Sequence, residues 1–96
     1  MKHQFRITVE QVADNQGNSG THPPITFTAD NHDNILAIVE RIQARGQFSP
    51  ESAAAFAVGL KLFGEVMLEH RNDPLFADFQ PHFKDFMKVL KGSQHG

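Results

Sequence analysis

Apolar and polar positions along the chain change period several times, and each change marks an element. Phe5, Ile7 and Val9 alternate with Arg6, Thr8 and Glu10, the period-two pattern of a strand with one buried and one wet face. A second alternation sets Ile25, Phe27 and Ala29 against Thr26, Thr28 and Asp30. It predicts another short strand, with Pro23 and Pro24 just before it, where a missing backbone donor costs little. Between the two lies VADNQGNSGTHPP, rich in Gly, Asn and Ser and too short to hold a helical crossover. An antiparallel hairpin with a mobile loop over 13–23 is the economical reading. Two strands alone are marginal, so their apolar face is expected to lie on helices.

From Ile35 the period becomes helical. Ile35, Ile38, Val39 and Ile42 recur at i, i+3, i+4 and i+7. Asn31 is expected to cap this helix with Asp33 in its first turn, and Gly46 to end it. Ser49 and Pro50 form a cap followed by a first-position proline. They open the most apolar stretch of the chain, ESAAAFAVGLKLFGEVMLEH from Glu51 to His70. After Glu51 its charges are Lys61, Glu65 and Glu69, every fourth residue, so they share one narrow stripe and everything else on the helix is expected to be covered. Asp73 and Pro74 repeat the cap signal, and Phe76, Phe79, Phe83, Phe86 and Leu90 then step by three and four. Pro81 lacks a donor and collides with the carbonyl four residues back, which predicts a short turn from Leu75 to Phe79 and a longer helix from His82 to Lys91. A flexible tail over 92–96 follows. The fold class is α+β: an N-terminal antiparallel β-hairpin packed on a bundle of three main helices (ββααα), the last helix broken near Pro81, in a single domain over 1–96.

Composition narrows the chemistry. A chain of 96 residues suffices for one core and one domain. With 40% hydrophobic and 21% charged residues it has a globular make-up, and a net charge of -2 argues against a general affinity for phosphate backbones or anionic membranes. There is no cysteine, hence no disulfide, thiolate metal site or thiol nucleophile. All nine aromatic residues are Phe, whose main use is core filling. The N-terminus alternates instead of presenting an apolar signal run, and no later run approaches the roughly 20 residues that span a bilayer. The expectation is a cytoplasmic protein with no membrane partner.

The runs NHDNILAIVERIQARG and AVGLKLFGEVMLEHRNDPLF, followed by HFKDFMKVLK, resemble a family of short bacterial proteins catalogued as a domain of unknown function. The likeness extends from about Phe5 to Leu90. It implies a single-domain, stand-alone bacterial protein. The family carries no assigned reaction, cofactor or partner, so the resemblance transfers no catalytic or binding residue.

The six histidines are the first chemical test. A metal site on a helix wants ligands at i and i+4 or a Glu three before a His, and neither spacing occurs. His70 and Arg71 fit a helix C-terminus, where cations are favoured. A polar cluster remains conceivable if His32, Asp33, Glu69, His70 and His82 converge in space. Ser49, Ser52 and Thr21 lie in no nucleophile motif, and the glycines build no phosphate loop. Lys84, Lys88 and Lys91 form a basic stripe late in a helix, which is usually a solvated face, and the outer face of the hairpin lacks an aromatic on which a base could stack. No catalytic residue, cofactor or metal is expected, and nucleic acid is not expected as a partner.

Association is the signal that survives. Ala53 to Leu60 is unbroken by any polar side chain, and the hairpin has two edges without a lysine to discourage pairing. Either the chain covers Ala53, Ala54, Ala57 and Val58 itself, or another chain does. The leading reading is therefore a non-catalytic interaction module, acting as a homodimer through the hairpin edge or the Ala-rich half-helix, or with a protein partner. The alternative is a small-ligand-binding or enzymatic domain with a pocket between hairpin and helices.

Overall fold

A computed structural model describes residues 1–92, so the expected tail lies outside the described residues apart from Gly92, which is helical. The α+β fold is confirmed: strands β1 (His3–Val9) and β2 (Ile25–Asn31) are followed by helices α1 (Ile35–Ala44), α2 (Pro50–Glu69), α3 (Pro74–Ala77) and α4 (Gln80–Gly92). The chain forms two compact units, Met1–Leu62 and Phe63–Gly96, divided inside α2.

In the first unit β1 and β2 pair antiparallel as a two-stranded sheet. Phe5 stands opposite Ala29, Ile7 opposite Phe27 and Val9 opposite Ile25, so the apolar sets of both strands share one face. On the other face the hydroxyls of Thr8 and Thr26 lie 3.1 Å apart. The apolar face is covered at one end alone. Phe5, Ile7 and Ala29 are half-buried, whereas Val9, Ile25 and Phe27 are 57%, 60% and 43% exposed.

The connecting loop carries structure of its own. Ala13 and Ser19 form a bridge around a turn in which the Asp14 amide donates to the Asn18 carbonyl at 2.7 Å. The Asp14 carboxylate accepts the amides of Gln16 and Asn18, each at 2.9 Å, and Gly17 takes the left-handed φ of 85° that the turn requires. Those amides, Asn18 first and then Gln16, hold the Asp14 carboxyl below its ordinary value. Further along, a Cβ on Gly20 would overlap the Gln11 carbonyl, so the two backbones meet where any other residue would force them apart. Side chains bonding to backbone build this loop, and such bonds leave no trace in hydrophobic period.

Helix α1 starts three residues later than the Asn31 cap predicts. Asn34 is the cap, with extended backbone and a side chain accepting the Leu36 amide at 3.2 Å, and Asp33 lies outside the first turn. Asn31 instead ends β2 and is 2% exposed. Gly46, at φ 72°, closes α1 as predicted, donating to the Gln43 carbonyl at 3.2 Å. The core of this unit comprises Ile35 and Ile42, each 2% exposed, with Ala53 and Ala57 of α2 at 0%. Helix α2 begins where the sequence predicts, Ser49 accepting the Ser52 amide at 3.2 Å and Pro50 standing first.

In the second unit, Asp73 caps α3 by accepting the Leu75 amide at 2.9 Å, with Pro74 in the first helical position. The break falls at Asp78 and Phe79. Pro81 would collide with the carbonyl of Ala77, the last residue of α3, and it sits second in α4, where no donor is missed. The ring of Phe63 lies 6.1 Å from Phe76, 5.8 Å from Phe79 and 6.0 Å from Phe83, edge to face. Gly64 admits the Phe83 ring to its backbone, because a Cβ there would stand 3.3 Å from the ring tip. Met67 and Glu65 of α2 are buried at 7% and 8%, but neither α3 nor α4 contains a buried residue.

Candidate functional site

The five polar candidates lie on turns and helix ends, and all are exposed. His32 and Asp33 occupy the bend after β2. Glu69 is the last residue of α2, His70 follows it and His82 is in the first turn of α4. Among the described residues, no group of three or more His, Asp and Glu side chains is placed to hold a metal ion. Asp33 is engaged in a structural role, its carboxylate 2.6 Å from the Lys61 ammonium of α2. Beneath that pair, the Asn31 amide group donates to the Lys61 carbonyl at 2.9 Å while its oxygen accepts the Asp33 amide at 3.0 Å. One buried asparagine thus bonds the end of β2, the bend before α1 and the middle of α2 together, with both ends of its side chain satisfied. Lys84, Lys88 and Lys91 are exposed.

The surface of α2 differs most from expectation. Of the stripe predicted to face water, Lys61 keeps 19% side-chain exposure and Glu65 is buried at 8%; Glu69 alone is exposed. A four-residue step on a 3.6-residue helix rotates by about 40°. The row Ala53, Ala57, Lys61, Glu65 and Glu69 therefore starts on the buried side and drifts until Glu69 reaches solvent. Lys61 stays covered because its partners Asn31 and Asp33 come from another part of the chain. Ala53 and Ala57 of the expected association surface are 0% exposed, and Ala54 and Val58 are half-buried, so this side of the helix is covered within the chain itself.

The wet stripe runs through Ala55, Gly59, Phe63 and Val66, the last two 43% and 49% exposed. Sequence reasoning missed it, since it holds no charge between Ala55 and Val66. One signal could have found it: Gly59 stands in a helix interior, where glycine is disfavoured, so its place there asks for a reason. Aromatic exposure continues in the second unit at Phe79 and Phe86, 43% and 45%, and Val89 is 72% exposed.

No curated protein matches. The crystal structure of a protein of unknown function from Pectobacterium atrosepticum is similar, with a TM-score of 0.83 at 38% identity, covering 96% of this chain and 99% of that one. The model of DUF3861, a domain of unknown function with a solved structure, matches residues 3–92. The agreement of that match with the hairpin-then-helices order described above places the chain in the DUF3861 family.

Proposed function

We propose that the protein is a non-catalytic, cytoplasmic interaction module that acts as a homodimer or through a protein partner. The distribution of apolar surface supports this reading. Ile35, Ile42 and Met67 are the larger apolar side chains buried among the described residues, while Val9, Ile25, Phe27, Phe63, Val66, Phe79, Phe86 and Val89 are 43–72% exposed. Scattered single exposures need no explanation, but grouped ones mark surfaces that meet another molecule. Here Val9 and Ile25 are direct cross-strand neighbours, and the rings of Phe63 and Phe79 touch. Catalysis by the polar candidates would need a nucleophile or base within hydrogen-bond reach of an orienting group. The five candidates are exposed on turns and helix ends, and Asp33 pairs with Lys61.

Native mass spectrometry of the full chain purified from its own host tests the reading. The expected spectrum shows two copies, or one copy with another protein, and no retained small molecule. A lone chain carrying a bound small molecule would overturn it in favour of the ligand-binding alternative.

A further inference from the structure

Resting on the self-association reading, we infer that a second copy of the chain adds to the free edge of β2, antiparallel about a two-fold axis at Thr28, and makes one four-stranded sheet.

The edge is the first reason. The sheet has two strands, so each offers one side to solvent. Among the described residues, no backbone group of another element bonds to either strand. Alternate amides and carbonyls along such an edge face outward, and what matches their spacing is another extended backbone. The occupant is therefore a strand.

Cover is the second. Of the opposed pair Ile7 and Phe27, Ile7 is half-buried while Phe27 is 43% exposed, and in the next pair Val9 and Ile25 are 57% and 60% exposed. The apolar face is thus open at one corner, which borders the free edge of β2. At the other end of β2, Ala29 is half-buried and Asn31 is 2% exposed, its amide bonded to the Lys61 carbonyl of α2 at 2.9 Å. A two-fold axis at Thr28 sets the copy's Ala29 beside Phe27 and the copy's Asn31 beside Ile25. The copy's α2 comes with its Asn31, so the covered end of each chain reaches the open corner of the other. A strand from an unrelated protein brings no such cover.

The side chains fit the same axis. On the apolar face the large Phe27 meets the small Ala29, and the symmetry repeats the contact. On the polar face Thr28 meets its own copy, and Thr26 meets Asp30. The Thr26 and Thr8 hydroxyls lie 3.1 Å apart and either can donate, so Thr26 can accept from Thr8 and donate to the copy's Asp30. Asp30 is the lone charge on β2, and this register keeps the two carboxylates about 13 Å apart. Full-length pairing of β1 instead centres on Arg6 and sets one guanidinium against the other.

Area sets the strength. A strand of seven residues is about 23 Å long, and a sheet about 10 Å thick gives a strand contact on the order of 200–300 Å² per copy. That is well below the roughly 800 Å² per partner of a standard interface, so the dimer is reversible.

Sedimentation velocity of the full chain, from low to high micromolar concentration, reads the equilibrium. The wild type should move from monomer to dimer. Thr26→Glu sets a carboxylate opposite the copy's Asp30 twice and should weaken dimerisation about fivefold, whereas Thr26→Lys should strengthen it about threefold. Both variants lose the same contact with Thr8, so an effect on folding alone would move them in one direction. Adding Asp30→Lys to Thr26→Glu should restore the dimer, and amide hydrogen exchange should slow on dimerisation in β2 more than in β1. A wild type that stays monomeric overturns self-association and this edge together. A dimer that the two Thr26 variants do not shift in opposite directions, or in which β1 gains the protection, overturns the edge and leaves self-association standing. Failure of the double variant to restore the dimer overturns the register, and a different protein found protecting β2 of a monomer gives the edge another occupant and overturns the second copy.

Discussion

Up to Leu62 the chain buries Ile35 and Ile42 to 2% exposure and Ala53 and Ala57 completely, and it satisfies the one polar side chain placed among them, Asn31. From Phe63 onward, four phenylalanine rings lie within 5.8–6.1 Å of one another or of Phe63, yet Phe63 and Phe79 each keep 43% of their surface in solvent. The two units show that touching and burying are separate achievements. Small and β-branched residues let backbones approach until no gap admits water. Rings meeting edge to face hold one another at about 6 Å and leave their outer faces open unless something further covers them. The first unit closes around Ile35, Ile42, Ala53 and Ala57, whereas the second buries Met67 and Glu65 of α2 and leaves much of its phenylalanine cluster in solvent.

Removing core atoms should separate the two most sharply. Ile42→Ala, at a site 2% exposed, should cost about 3 kcal/mol in urea unfolding, as expected for truncation of a buried aliphatic residue. Asn31→Ala comes next at about 2 kcal/mol, since it leaves the Lys61 carbonyl and the Asp33 amide without the side chain that serves both. Phe63→Ala should cost about 1–2 kcal/mol, well below the 3–5 of a fully buried phenylalanine, because almost half of the ring is already wet. If it proved as costly as Ile42→Ala, the second unit would be as closed as the first and the comparison would fail.

The smallest effect concerns the loop. The Asp14 carboxyl is held below its ordinary value by the Asn18 and Gln16 amides, so its ionised form stabilises the folded loop above the unfolded carboxylate value of about 3.9. That contribution is lost as pH falls through the lowered folded value. Amide shifts of Gln16 and Asn18 should therefore hold steady to more acid pH than a free aspartate would allow, and Asp14→Asn should remove the transition. A midpoint at the ordinary aspartate value would count against the turn as described.

The elements themselves were legible because their signals are short-range. Alternation gave both strands, Ser49 and Asp73 capped the helices they were expected to cap, and Gly46 ended α1 with the positive φ its residue type favours. The Asn31 cap was misassigned between two asparagines with the same local chemistry. Asn34, directly before the first buried isoleucine, was the better local candidate, while Asn31 serves partners in α2 that lie thirty residues away. Burial of Glu65 and exposure of Phe63 run against residue type, and helical periodicity ranks faces by residue type alone. For the candidate site, the apolar run pointed to Ala53, Ala54, Ala57 and Val58, and the structure buries Ala53 and Ala57 and half-buries the other two, a distribution that residue type alone does not rank.

What the amino-acid order determined by itself is the hairpin, the helices and their ends, since strand period, caps and prolines act within about four residues along the backbone. What the tertiary structure decided is which side of α2 meets water. A lysine remains covered there because Asp33 and Asn31 reach it from a distant turn, and no local pattern encodes a partner that folding alone brings near.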